Sequence, residues 1–251
     1  MPTRVVSPRL AGVLLAAALL GTAPALAQSS GDGFLFWAPR GSLSVRAGYD
    51  RAFAGGDLFS SITNEMTLRK SDFGALSLAA DIAATIGPQL DVVFGAAWSG
   101  SRKGSAYRAW SDNGLPITQT TSLERVPLTA SLKWYVRPRG RAVGSFVWVP
   151  AKATPFVGAG LGAMWSRLHQ VGDFVDLTDS TAFRDNLSSQ SWTFTAHAFA
   201  GCEMKLSPRT FLTTEVRYTW ARPKVGGDFW GYGRMDLSGL SATAGFGMRM
   251  H

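Results

Sequence analysis

The sequence has little cysteine, little histidine and, after its first 20 residues, no long hydrophobic run. Cys202 is the single cysteine among 251 residues. That excludes an intrachain disulfide, and so export is not being used for a stapled scaffold. The histidines, His169, His197 and His251, stand far apart with no cluster at metal-ligand spacing, so no zinc site of the usual kind is expected. The glycine-rich GAGLG from Gly158 has no following helix and is no nucleotide fingerprint; no cofactor is expected. The formal net charge of +8 comes without a basic helix or a nucleic-acid-binding motif, which argues against a nucleic-acid partner. Beyond Leu20 nothing approaches the roughly 20 apolar residues that a membrane-spanning helix needs. Yet 46% of the chain is apolar, and those residues must therefore be dispersed.

At the N-terminus, Arg4 and Arg9 precede the run LAGVLLAAALL from Leu10 to Leu20, followed by Ala25-Leu26-Ala27. This is the pattern of a secretory signal peptide cleaved before Gln28. Glutamine in place of cysteine at that position argues against a lipoprotein. The expected organisation is a signal peptide over 1–27, an N-terminal periplasmic lead-in over 28–41 and one domain over 42–251.

In that domain the dispersal has a period of two. Leu43, Val45 and Ala47 lead to Tyr49; Val92, Phe94 and Ala96 to Trp98; Val157, Leu161 and Ala163 to Trp165; Leu212, Val216 and Tyr218 to Trp220. A strand's side chains alternate between faces, so each stretch is a ribbon with one apolar and one small or polar face. Eight such strands are expected: about 42–51, 75–86, 90–99, 124–136, 154–165, 192–206, a seventh after the Ser207-Pro208-Arg209 turn that carries Leu212 to Trp220, and a last one carrying Leu240 to Met250. An even count puts both termini on one side. With that side periplasmic, segments 52–74, 100–122, 167–191 and 222–237 become extracellular loops and the connections at Gly87-Pro88-Gln89 and Ser207-Pro208-Arg209 become short periplasmic turns. In the first loop, Leu58, Ile62 and Met66 at helical spacing behind a possible Asp57 cap predict a short amphipathic helix over the barrel mouth. The segment 137–153, RPRGRAVGSFVWVPAKA, is long for a periplasmic turn. It reads as a hairpin extension or a flap, and ten strands are the alternative count.

Alternation alone also fits a soluble sandwich or a lipocalin-like barrel, which buries its apolar face. The aromatic positions decide between them, since a soluble core has no need of Tyr or Trp at the same end of alternate strands. Tyr49, Trp98, Trp165, Trp192 and Trp220 are expected in one membrane-interface belt and Trp134 in the opposite one. The fold expected is all-β, a transmembrane antiparallel up-and-down β-barrel. On ERVPLTASLKWYV (from Glu124), TPFVGAGLGAMW (from Thr154) and AHAFAGCEMKLSPRTFLTTEVRYTW (Ala196 to Trp220), the chain resembles the small outer-membrane barrels that include the OmpA transmembrane domain, OmpX and OmpW. The resemblance implies insertion by the barrel-insertion machinery. The family usually ends on a phenylalanine that this machinery recognises, whereas this chain ends Phe246-Gly247-Met248-Arg249-Met250-His251, which implies a divergent terminal signal.

An eight-stranded barrel has an interior that side chains just fill. The inward parity collects Arg46, Lys133, Lys205, Arg217 and Arg249 with Asp81, Asp91, Glu203 and Glu215, a nearly balanced set expected to close the lumen as a salt-bridge network. Gly158, Gly160 and Gly162 share that face and leave room for bulky partners. His197 is the one histidine inside a strand. Thr195 and Phe199 flank it, and Ser131 or Glu215 would have to approach from other strands. Arg102, Lys103, Arg108, Arg167, Arg222, Lys224 and Arg234 gather on the expected outer side, suited to lipopolysaccharide phosphates or simply solvated. The reading is a non-enzymatic, monomeric barrel of the bacterial outer membrane with a structural or surface-interaction role through its long loops. One alternative is OmpW-like transport of small or apolar molecules. Another is a lipid A-modifying enzyme centred on His197.

Overall fold

The computed structural model describes residues 33–112, 114–175 and 181–251; the proposed signal peptide lies outside the described residues. The strands are β1 (Leu35–Phe36), β2 (Gly41–Ala52), β3 (Gly74–Gly87), β4 (Leu90–Asp112), β5 (Leu115–Tyr135), β6 (Gly140–Val143), β7 (Val147–Pro150), β8 (Ala153–Val175), β9 (Ala182–Lys205), β10 (Thr210–Ala221) and β11 (Gly239–Met250), with one helix, α1 (Asp57–Glu65). Eight of these strands close a barrel in the order β2-β3-β4-β5-β8-β9-β10-β11. All neighbours are antiparallel, and β11 returns to β2 from Gly239 opposite Ala52 to Met250 opposite Gly41. Closure leaves no unpaired edge inside a bilayer, where no water is at hand to satisfy backbone groups.

The faces are inverted relative to a soluble barrel. Leu76, Leu78, Ile82, Phe94, Leu161, Phe194 and Phe246 are exposed on the outside, whereas Ser77, Asp91, Thr195, Thr213 and Glu215 are buried within. A water-soluble sandwich or lipocalin-like barrel would bury the first set and expose the second. The chain is a transmembrane up-and-down barrel.

We call the end carrying β1, β6 and β7 lower and the opposite end upper. The expected loops 100–122 and 167–191 are largely strand. β4 and β5 stay paired to Asp112 and Leu115, and β8 and β9 to Val175 and Ala182. Above Trp98 and Trp165 the outward positions become mostly polar or small, as at Arg102, Gly104, Ser122, Arg167 and His169, which ends a signal based on hydrophobic alternation. The backbone ladder needs no apolar face, and Thr118, Thr120 and Thr121 favour extended structure. The inner face of the extension still buries Ile117, Gln119, Thr121 and Leu123.

The helix expected over the mouth is present, with Leu58, Phe59 and Ile62 buried. Its N-cap is Gly56 at φ 98°, with no side-chain cap hydrogen bond, and Asp57 lies in the first turn instead. Phe59 stacks edge-on against Phe73 at 4.8 Å between ring centres. Together with Met66, Leu68, Leu123, Leu168, Phe229 and Leu237 they form the main apolar core, lying across the upper mouth.

The 137–153 segment forms a hairpin, β6–β7, that joins β1 in a separate three-stranded sheet. It therefore adds no barrel strand, and the count is eight rather than ten. Leu35 and Trp148 face each other across this sheet and are both buried.

Candidate functional site: a charged lumen

Inward parity puts these charges on one face; the partners are set by register between strands far apart in sequence. At mid-height Arg46 of β2 bridges Asp81 of β3 and Glu215 of β10, with Nη1 2.5 Å from the Glu215 carboxylate. Arg217 donates from Nε to the same Glu215 at 2.9 Å. Two basic and two acidic side chains thus span the ring as one layer. Above it, Arg125 pairs with Asp50 at 3.0 Å, and the Ser99 hydroxyl donates to the same carboxylate at 3.0 Å.

Below it, Lys133 reaches Glu203 at 2.5 Å, and the Tyr135 hydroxyl lies 3.0 Å from Glu203 and 3.1 Å from Asp91. Asp91 is 0% exposed and takes its cation from outside the barrel, since Arg139 in the approach to β6 reaches up to it at 3.0 Å. Arg249, expected in the ion-pair network, is buried but holds no carboxylate among the described residues. Its guanidinium lies over the Phe211 ring at 4.9 Å and the Trp148 ring at 5.9 Å, and donates to the Pro208 carbonyl. Lys205 likewise makes no ion pair among the described residues. It is half-buried at the lower rim, near the end of β9, where water can solvate an ammonium.

Asp50, Arg125, Tyr135 and Arg139 were missing from the expected network. Asp50, Arg125 and Tyr135 carry the inward parity and were legible by the rule that found the others. Arg139 had no such signal, because its segment lies outside the strand pattern.

Two small cavities lie within the lumen among the described residues. One of about 50 Å³ sits between the upper and middle charge layers, lined by Asp50, Arg125, Asp81 and Glu215 among others. Another of about 20 Å³ sits below the middle layer beside Lys133, Glu203 and Phe211. These hold a few waters at most, given that one water needs about 10–15 Å³ on this measure. The inward glycines do not open the bore. The Phe199 ring occupies the space over Gly158, as Phe156 does over Gly201 and Phe211 over Gly247, and a Cβ at any of the three would collide with the ring.

His197 is 2% exposed. Its partner from another strand is Ser131, with Oγ 2.7 Å from Nε2, and its ring stacks on Phe199 at 6.0 Å. This is the spacing of a nucleophile and a base. However, Nδ1 has no hydrogen-bond partner, so no acid orients the ring among the described residues. Glu215, the acid considered for that role, is held by Arg46 and Arg217. Neither Ser131 nor His197 lines either lumen cavity.

The aromatic set lies on the outer face. Tyr49, Trp98, Trp134, Trp192 and Trp220 are exposed, and Trp165 is half-buried directly opposite Trp192 across the β8–β9 pair. Trp134 faces Leu90 and Val157 at the other end of its strand. Of the basic set, Arg102, Lys103, Arg108 and Arg167 sit on extended strands rather than in loops. Arg102 and Lys103, being consecutive, point to opposite faces. Arg222 faces Asp236 at 3.7 Å in an exposed pair, and Lys224 and Arg234 meet across an isolated backbone bridge.

No protein-family model and no curated protein matches the chain. Among solved structures, the outer membrane protein OprG of Pseudomonas aeruginosa shares 13% identity over 86% of this chain and 99% of its own, with a TM-score of 0.47. The chain is similar to small outer-membrane barrels. Neisserial surface protein A gives 11% identity, coverage of 88% and 98%, and a TM-score of 0.44. The attachment invasion locus protein Ail of Yersinia pestis, solved with the heparin analogue sucrose octasulfate, gives 12%, 83% and 99%, and 0.42. At such identities only the fold is shared, and what this chain does rests on its own lumen and surface.

Proposed function

We propose that this protein is an integral, non-enzymatic barrel of the bacterial outer membrane that does not conduct, and that it acts in envelope integrity or surface interaction through its upper hairpins. The observation that carries this reading is the Arg46–Asp81–Glu215–Arg217 layer, with small cavities of about 50 and 20 Å³ above and below it. A transport route would have to break buried ion pairs, each strongly unfavourable to leave half-made. In this reading residues 1–27 are a cleaved signal peptide, residues 28–41 lead into the barrel from the periplasm, and the barrel-insertion machinery places a monomer with its lower end periplasmic. Tyr49, Trp98, Trp165, Trp192 and Trp220 then mark one interface and Trp134 the other. Arg102, Arg167 and Arg222, each on the outer face beyond a girdle aromatic of the same strand or its continuation, suit lipopolysaccharide phosphates, which arginine binds through paired hydrogen bonds.

The test is a refolded, heat-modifiable sample in a planar bilayer. No sustained current above the lipid background is expected, and stable single-channel steps of porin size would overturn the reading. Intact mass from outer-membrane fractions tests cleavage before Gln28.

A further inference from the structure

Among the described residues, the lower end carries charge of one sign. Its segments 33–42, 86–90, 136–153 and 206–210 contain no aspartate or glutamate, whereas Arg40, Arg137, Arg141 and Lys152 are all exposed there. The carboxylates nearest this end among the described residues, Asp91 and Glu203, are buried and already matched to Arg139 and Lys133. The upper end is mixed, with Asp57, Glu65, Asp185 and Asp228 among its cations.

The same end exposes aromatic rings on a fixed support. Phe36 is 56% exposed, Trp37 61% and Phe146 62%. Ring centres follow one another from Phe34 to Phe36 at 5.6 Å, to Trp37 at 6.3 Å and to Phe146 at 6.3 Å. The Trp37 amide donates to the Phe146 carbonyl at 2.9 Å, tying the lead-in to the β6–β7 turn. The support is anchored by the buried Leu35–Trp148 pair and by Arg139 on Asp91. A soluble surface rarely presents such a patch without a purpose. The chain enters this sheet directly from the lipid-facing end of β5, where Trp134 and the following Val136 are exposed.

We propose that the β1-β6-β7 sheet is an interfacial foot that lies against the headgroups of the leaflet at the lower end, its aromatic rings at headgroup depth and its cations on anionic phospholipid. Aromatic rings favour the interface, and each cation near an anionic surface contributes roughly fivefold to its occupancy. Continuity with the barrel's lipid-facing belt and the absence of exposed acids among the described residues of this end favour this occupant over a protein. The proposal rests on the barrel spanning a membrane as read above.

A nitroxide on Ser145→Cys in a Cys202→Ser background, in the full refolded barrel, tests it by collision with oxygen and with a water-soluble nickel chelate. In phosphatidylcholine vesicles containing phosphatidylglycerol, the label is expected to gain oxygen contact and lose chelate contact relative to one on Gly231→Cys at the upper end. Vesicles of phosphatidylcholine alone should weaken that protection, and Arg137→Glu with Arg141→Glu should remove it while leaving heat-modifiability intact. A label as open to the chelate as the Gly231 site, in a heat-modifiable barrel, overturns the foot and leaves the barrel reading standing. Protection that appears only in native outer-membrane fractions would assign the surface to a protein instead. Failure to insert at all would overturn both readings.

Discussion

The barrel is closed at two levels by opposite chemistry. In the lumen, Arg46, Asp81, Glu215 and Arg217 fill the cross-section with ion pairs; across the upper mouth, Phe59, Phe73, Leu168 and Leu237 fill it with hydrocarbon. The two plugs obey different solvents. A spanning strand already shows one apolar face to lipid, and polar residues on the other keep an exported chain from being apolar on both sides. Charge inside the bore is then costly to leave unpaired, because removing charges from water costs about what their attraction returns. Arg249, which meets no carboxylate among the described residues, rests on the Phe211 and Trp148 rings and the Pro208 carbonyl instead. The upper mouth stands beyond the lipid-facing belt and folds by soluble rules, where a buried phenylalanine contributes about 1.5–3 kcal/mol by leaving water. Completeness governs the first plug and volume governs the second.

Breaking the completeness of the lumen layer should therefore produce the largest effect. Arg46→Ala leaves Asp81 without its cation and Glu215 with only Arg217, and a loss of about 3–5 kcal/mol is expected for a broken buried pair. Urea unfolding of the refolded barrel in micelles measures it. Replacing Arg46, Asp81, Glu215 and Arg217 together by Met or Leu of similar volume removes every charge at once, and should be neutral or stabilising by the same principle. A quadruple variant as unstable as the single one would mean that the layer does more than fill the bore.

Breaking volume at the mouth should act more locally. Phe59→Ala removes a ring packed on Phe73 and should loosen the mouth core by about 3 kcal/mol, the low end for such a truncation because loop segments can partly collapse into the gap. Hydrogen exchange read peptide by peptide separates the cases. Faster exchange is expected over residues 57–73 and 227–238, with β2 and β11 unchanged. Equal loss in the barrel strands would show that the two plugs are one cooperative unit.

The difference between the plugs also explains how far the sequence could be read. Inward and outward faces were legible because parity is local: Asp81 and Glu215 are on the inner face of any register that puts Leu78 and Val216 outside. Which charge meets which was not legible. The Arg46–Glu215 pair depends on β11 standing between β2 and β10 and on its exact offset, and Arg139 reaches Asp91 from a segment with no strand period at all. Strand ends failed for a third reason. At Gly100 and Arg167 the apolar stripe stops while the ladder goes on. The mouth helix was legible because Leu58, Ile62 and Met66 keep a helical period, but its cap fell one residue earlier, on Gly56, where a positive φ suits glycine.

The smallest effect concerns a polar pair that belongs to neither plug. Ser131 and His197 share one hydrogen bond at 2.7 Å, and the other ring nitrogen has no partner. If the pair is structural, its contribution is that of one buried hydrogen bond plus the stacking of the imidazole on Phe199. Ser131→Ala then strands Nε2 as well and should cost about 1–2 kcal/mol for an unsatisfied buried group, whereas Ser131→Ala with His197→Phe removes both partners and should recover most of it. If instead the serine is a nucleophile that histidine activates, both variants would lose an activity irrespective of stability. Mass spectrometry of lipid A from cells expressing each variant separates the two accounts. Unchanged acyl chains throughout, with the double variant more stable than Ser131→Ala, is the expected outcome, because a base without an orienting acid, walled off from both cavities, has no route to a substrate. A change in acylation present with the wild-type protein and absent with Ser131→Ala would make the pair catalytic.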